Sequence, residues 1–220
     1  MRMRNKPWAR PELEACPYFI KDPRALRGHW REQFSSDAPF HVELGCGKGG
    51  FAAAAALSEP QVHFLAMDLE YKMLGVARRK IARAFEEAGR EPDNLLLTAC
   101  NIEQIETMLS PEDRVDRLYI NFCNPWPRKK HQKHRLTHPR QLVQYRTFLR
   151  EGGEIRFKTD DDGLFEDSIG YFEECGFAVT YLTRDLHASG FAPNIVTEHE
   201  QMFSDEGIPI KFLIAQKPTG

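Results

Sequence analysis

The sequence predicts a doubly wound α/β fold built on a mostly parallel sheet with helices on both faces. Short apolar runs of strand length recur at 40–44, 62–68, 95–99, 115–122, 154–158, 177–182 and 209–215. Apolar residues at steps of three and four fall between several of them. A glycine-rich stretch, Glu43-Leu44-Gly45-Cys46-Gly47-Lys48-Gly49-Gly50, follows the first run where a parallel strand would hand over to a helix. Strands alternating with helices require right-handed crossovers, which give a Rossmann-like sheet of seven strands.

Residues 1–38 precede the first run and read as a basic arm. Arg2, Arg4, Lys6 and Arg10 interleave with Pro7, Trp8 and Pro11. Such a segment can stay flexible until it meets an anionic partner, although Trp8 argues for a docking place. The remainder, 39–220, is long enough for one domain with a real core. Leu74, Ala77, Ile81, Ala84 and Ala88 mark one helix, stopped by Gly89. Leu142, Tyr145 and Leu149 mark a second, ending before Gly152-Gly153, and Phe165, Ile169 and Phe172 a third, ending before Gly176. No apolar run reaches membrane-spanning length and no signal-peptide core follows the N-terminus, so the expected location is cytoplasmic. Five scattered cysteines without a Cys-x-x-Cys pair read as reduced thiols, not as a disulfide framework or zinc site.

Ligands of such sheets bind beyond the carboxyl ends of the strands. The first of these ends carries Glu43 and the glycine stretch. Gly45, Gly47 and Gly50 satisfy a dinucleotide fingerprint, and Asp68 closes the second strand where a ribose-binding acid belongs, so a nucleotide-dependent oxidoreductase is one reading. Glu43 opposes it, since its carboxylate would face a pyrophosphate. A phosphate-binding P-loop fails too, because Gly49 follows Gly47-Lys48 where Ser or Thr is required. S-adenosylmethionine, with a ribose and a cationic end but no phosphate, suits Glu43, Gly45, Gly47 and Asp68 better. Asn101, at the end of the third strand, either holds an adenine edge or caps the next helix.

The end of the fourth strand is the most distinctive place. Asn124-Pro125-Trp126-Pro127 joins an amide to an aromatic face in a stiff chain, followed by Arg128, Lys129, Lys130, Lys133, Arg135 and Arg140. The span 117–150 holds nine of the 30 Lys and Arg residues and none of the 32 Asp and Glu residues, so a formal charge of -2 hides one strongly basic segment on an acidic body. A planar stacking group beside concentrated positive charge suits a base on a phosphate backbone. His131, His134 and His138 have metal-like spacing, but the surrounding cations argue against a metal. Cys123 invites a nucleophile reading, yet a small residue closing a strand explains it as well.

Together these residues resemble the bacterial tRNA (guanine-N7)-methyltransferases. The resemblance runs from Met1-Arg2-Met3-Arg4 and Lys6-Pro7-Trp8 through Glu43–Gly49 and Asn124–His138 to Thr159-Asp160 and Thr197-Glu198-His199-Glu200. It implies the seven-stranded methyltransferase fold, S-adenosylmethionine as methyl donor and tRNA as partner, with methylation at N7 of the guanine at position 46 in the variable loop. By the same resemblance Glu43, Asp68, Asn101 and Asn124 are cofactor-side residues. Arg128, Asp160, Thr197, Glu198, His199 and Glu200 become substrate-side, and Lys129, Lys130, Lys133 and Arg135 are expected on the RNA backbone. Most members of that family carry Asp where this chain has Asn124, so Asn124 is expected to position and not to act as a base. Two other readings remain beside the oxidoreductase: an exocyclic-amine RNA methyltransferase, because Asn-Pro-aromatic also occurs at such sites, and a non-catalytic RNA-binding module. Monomer and homodimer are both compatible with the sequence.

Overall fold

The computed structural model describes residues 6–220; Met1–Asn5, with Arg2 and Arg4, lie outside the described residues. Eight strands form one sheet: β1 (Phe19–Ile20), β2 (Phe40–Leu44), β3 (His63–Asp68), β4 (Leu95–Ala99), β5 (Val115–Asn121), β6 (Leu149–Thr159), β7 (Ala178–Thr183) and β8 (Lys211–Gln216), in the order β1-β4-β3-β2-β5-β6-β8-β7. All neighbours are parallel except β8, which lies antiparallel between β6 and β7. Each of the seven expected runs is a strand within a few residues of its expected ends. The longest extension is at β6: Leu149, expected to close a helix, opens this strand instead, and the β5–β6 register slips between Val115 and Arg117.

The helices are α1 (Ala9–Glu14), α2 (Gly50–Ser58), α3 (Tyr71–Glu87), α4 (Pro139–Phe148), α5 (Asp162–Glu174) and α6 (Glu198–Asp205). From β2 the chain steps through β3 to β4 in one direction, and from β5 through β6 in the other. Right-handed crossovers therefore place α2 and α3 on one face and α4 and α5 on the opposite face. The reversal falls between β2 and β5, the switch point where a crevice opens beyond the strand ends.

The eighth strand, β1, comes from the segment set apart as an arm. It extends the sheet by pairing with β4. From Lys6 onward this segment is packed: Leu13 and Trp30 are fully buried, and the Trp30 indole N–H donates to the Met108 carbonyl at 2.7 Å. α1 lies so close to α3 that a side chain at Gly75 would meet the Ala9 Cβ at 2.5 Å. Arg79 stacks over Trp8 at 3.6 Å and pairs with Glu12. Two residues of strand are too short to show a period, which is why β1 is invisible in the sequence.

Candidate active site

The chain turns from β2 to α2 through Gly45, Gly47 and Gly49, with φ of +79°, +54° and +73°. Gly49 also needs its missing side chain, since a Cβ there would lie 2.7 Å from that of Ala77. The turn is tied to the next strand. Gly45 and Cys46 N–H both donate to the Met67 carbonyl, and Gly47 N–H donates to Asp68 Oδ2 at 2.9 Å. Asp68 Oδ1 accepts from Glu70 N–H at 2.9 Å. Burial raises the Asp68 carboxyl above its ordinary range, against the pull of these backbone donors.

Glu43 ends almost wholly buried, 4% exposed. Its Oε1 accepts from Asn121 Nδ2 at 3.2 Å, while Oε2 has no partner among the described residues. Desolvation pushes this carboxyl up to about 7; the Asn121 bond resists, Asp68 adds to the rise and Lys158 opposes it. A buried oxygen without a donor costs on the order of 1–3 kcal/mol and marks a place where a ligand donor belongs. Glu43 lines a cavity of about 190 Å³ with Gly45, Gly47, Phe122, Thr197, Glu198 and His199. The structure thus brings the cofactor-side turn and three of the four residues expected from Thr197–Glu200 into one space. A glycine turn whose backbone a ligand can approach and an unpartnered carboxylate oxygen fit S-adenosylmethionine, whose cationic end carries a donor.

Beyond β5, Phe122 and Trp126 take positive φ of 53° and 43°, a strained conformation for bulky side chains. Asn124 is exposed and its Oδ1 accepts from Trp126 N–H at 3.1 Å, closing the turn that sets the indole. The indole is not a free plate: His131 and His134 lie at ring distances of 5.8 and 5.5 Å. Trp126 and Asn124 share a second cavity, about 270 Å³, with Leu44, Gly45 and Leu136, so Gly45 borders both spaces. Arg128 borders the outer side of the same indole. Asn101 is exposed and caps the turn Ile102–Thr107 by accepting from Glu103 N–H at 3.1 Å, the second of its two expected roles. Desolvation pushes the Cys123 thiol up to about 12, which opposes the nucleophile reading.

Two expectations need correction. Arg135 does not stand with the phosphate-seeking cations: it is 3% exposed, its Nε donates to the Pro125 carbonyl at 2.7 Å and its Nη1 to Asp167 at 2.6 Å. It staples the Asn-Pro-Trp turn to α5, while Lys129, Lys130 and Lys133 remain exposed. Glu200 does not face a base either. It is fully buried, its Oε2 accepts from Lys158 Nζ at 2.8 Å and from Thr197 N–H at 3.4 Å, and its Oε1 accepts from Asn194 Nδ2 at 2.7 Å. Thr197 completes a reciprocal cap by accepting from Glu200 N–H at 3.0 Å. Glu198 and His199 do point to the cavity side; Glu198 pairs with Lys80, and His199 stacks on Phe122 with centroids 6.0 Å apart. Asp160 follows β6 half-buried, and among the described residues its carboxylate has no ion pair. No group of three or more metal-ligating side chains comes together among the described residues.

Asn121 and Lys158 are additions to the expected site. Their signal is in the sequence: Arg117, Tyr119 and Asn121 alternate with apolar residues along β5, as Glu154, Arg156 and Lys158 do along β6. Two adjacent polar faces in phase mark a part of the sheet whose cover has to supply polar partners, as Glu200 does for Lys158.

A family described as "Putative methyltransferase" matches residues 37–213. A tRNA (guanine-N(7)-)-methyltransferase of Clostridium beijerinckii is 56% identical over 217 residues, spanning 99% of this chain and 99% of the relative. The chain belongs to the tRNA (guanine-N(7)-)-methyltransferase family. A second member, from Clostridium perfringens, is 54% identical over 218 residues, 99% of this chain and 100% of that one. Among solved structures the antibiotic-resistance methyltransferase Kmr shares the fold, with a TM-score of 0.58 at 17% identity over 90% of this chain and 93% of that chain.

Proposed function

We propose that this protein transfers the methyl group of S-adenosylmethionine to N7 of a guanine in tRNA, at position 46 of the variable loop, in the cytoplasm. The observation that carries it is the unpartnered Glu43 oxygen in a cavity shared by the glycine turn and the Thr197–His199 segment, in a chain of this family. The variable-loop position rests on the family resemblance. No helix among the described residues is long and apolar enough to cross a membrane.

When bound, S-adenosylmethionine supplies an electrophilic methyl carbon on a sulfonium. Glu43 and the Gly45–Gly47 backbone hold its amino-acid end, and Asp68 holds the ribose. Asn124 and Trp126 shape the mouth of the site, and Asp160 accepts from the guanine N1–H and N2–H donors. Guanine N7 carries a lone pair and no proton, so no residue has to act as a base. What these side chains contribute is placement and a fixed field.

The deciding experiment is transfer of labelled methyl to bulk tRNA, followed by mass spectrometry of the nucleosides. N7-methylguanosine is expected, and it should vanish with a tRNA whose position-46 guanine is replaced. N6-methyladenosine would favour the exocyclic-amine reading, and stabilisation by NAD but not by S-adenosylhomocysteine would favour the oxidoreductase. Asp160→Ala should lower turnover about tenfold while tRNA and cofactor affinities hold; a collapse of tRNA affinity with turnover of bound tRNA intact would remove Asp160 from base reading.

Lys129, Lys130 and Lys133 are the exposed cations for the phosphate backbone. Replacing two of them by Gln should weaken tRNA binding and flatten its salt dependence by about 0.7–0.9 log units per log salt for each phosphate no longer neutralised. Cofactor affinity, measured by calorimetry, should not change. An unaltered salt slope would leave this loop merely solvated.

A further inference from the structure

Lys158 stands on β6 directly opposite Asn121 of β5 and is 6% exposed. Its ammonium has three donors and finds three acceptors: Glu200 Oε2 at 2.8 Å, the Ile195 carbonyl at 3.0 Å and Asn194 Oδ1. All three belong to the stretch that leads into and opens α6. Glu200 gathers the same stretch from the other side, accepting from Asn194 Nδ2 and Thr197 N–H, with His187 Nε2 at 3.1 Å. One buried ion pair thus fixes the backbone that presents Thr197, Glu198 and His199 to the cavity. In register with Lys158, Asn121 donates to Glu43 on the opposite wall. Well-packed apolar residues often replace a buried pair without destabilising the fold, so stability alone does not explain the arrangement.

We infer that Lys158 is a positioning residue for methyl transfer, holding the 194–200 segment beside the cavity that Glu43 lines. This rests on the function proposed above and assigns a role to a side chain whose three donors are engaged within the protein. Glu43 and Lys158 act on each other's ionisation: the lysine pulls the carboxyl down against burial, and the carboxylate supports the ammonium. The other charged or titratable groups facing Glu43 are Asp68 from β3, Tyr119 paired with it on β5, Cys46 and Lys48 from the glycine turn, and Glu198 and His199 from α6.

The test compares the parent with Lys158→Met and with the double variant Lys158→Met/Glu200→Gln. The single change strands a buried carboxylate and can impair folding, whereas the double change removes both charges and keeps the side-chain volumes. In the ligand-free proteins, carboxyl 13C NMR titration of Glu43 should show its midpoint rising by about half a pH unit or more in the double variant. Single-turnover methylation of tRNA should fall about tenfold while tRNA affinity stays within about twofold. An unmoved Glu43 midpoint would reduce Lys158 to a structural prop, and turnover within about threefold of the parent would remove it from the reaction. The titration needs no donor or tRNA, so it stands apart from the parent's methylation of tRNA, which tests the proposed function itself.

Discussion

Glu43→Gln is expected to flatten the pH dependence of stability of the ligand-free protein and at the same time to weaken donor binding. The Glu43 carboxyl titrates near 4.5 when exposed and at about 7 in the fold, chiefly through desolvation. Between these values the unfolded chain has released a proton that the folded one keeps. The folded state therefore binds more protons there, and stability falls as pH rises. The contribution is complete below the unfolded value and gone above the folded one. Its size, about two and a half units at about 1.4 kcal/mol each, is on the order of 3–4 kcal/mol. Gln at this position still accepts from Asn121 but does not titrate. Urea unfolding at a series of pH values should show the variant gaining about 3–4 kcal/mol on the parent between about pH 4.5 and about pH 8. Parallel pH profiles would mean that Glu43 is already ionised in the free fold.

Donor binding should move the other way. A cationic end that meets Gln loses a charged hydrogen bond, so affinity for S-adenosylmethionine should drop by about 1–3 kcal/mol in calorimetry. Asp68→Ala should lose a similar amount, since it removes the acid proposed for the ribose and the brace of the glycine turn. Affinity of the parent should decline as pH falls through about 7, where Glu43 takes up its proton. One residue that destabilises the free protein and stabilises the complex is what a binding site does with a buried charge.

Which features are legible in the sequence follows from the range over which each is determined. Strand and helix periods are local, so β2 to β8 and the three marked helices are readable, as are the glycine turn and Asp68. Residues placed by distant partners are not. Arg135 sits in a run of cations and looks like the rest of them; only the fold reveals Asp167 and the Pro125 carbonyl around it. Glu200 is a different case. Thr197-x-x-Glu200 is the pattern of a reciprocal helix cap, and the sequence alone allows that reading. Acids that end a loop look like base readers, yet the cap turns Glu200 inward and leaves Glu198 and His199 to the cavity. Lys158 is the last charged residue of an alternating strand, which by itself reads as a surface lysine until Asn194, Ile195 and Glu200 close over it.

Asn124 poses the sharpest question, because the family resemblance leads one to expect Asp there. If a carboxylate at this position had to remove a proton, an amide would leave the protein nearly inert. Guanine N7 has no proton to give, and the geometry assigns the side chain another task. Its oxygen accepts from Trp126 N–H and closes a turn whose central indole sits at φ +43°, so the bond holds a strained backbone in place beside the cavity. Asp would accept the same bond, and Ala cannot. The parent should therefore be active, Asn124→Asp should stay within about tenfold of it, and Asn124→Ala should lose about 1–3 kcal/mol of transition-state stabilisation. The loss in Ala should come with a changed Trp126 fluorescence, because the indole is released from its setting against His131 and His134. The pH profile of single-turnover methylation should show no step that appears or disappears between Asn and Asp. A parent that binds tRNA and donor but transfers nothing, with activity restored by Asn124→Asp, would instead make the acid at this position a base, and the N7 lone pair insufficient without it.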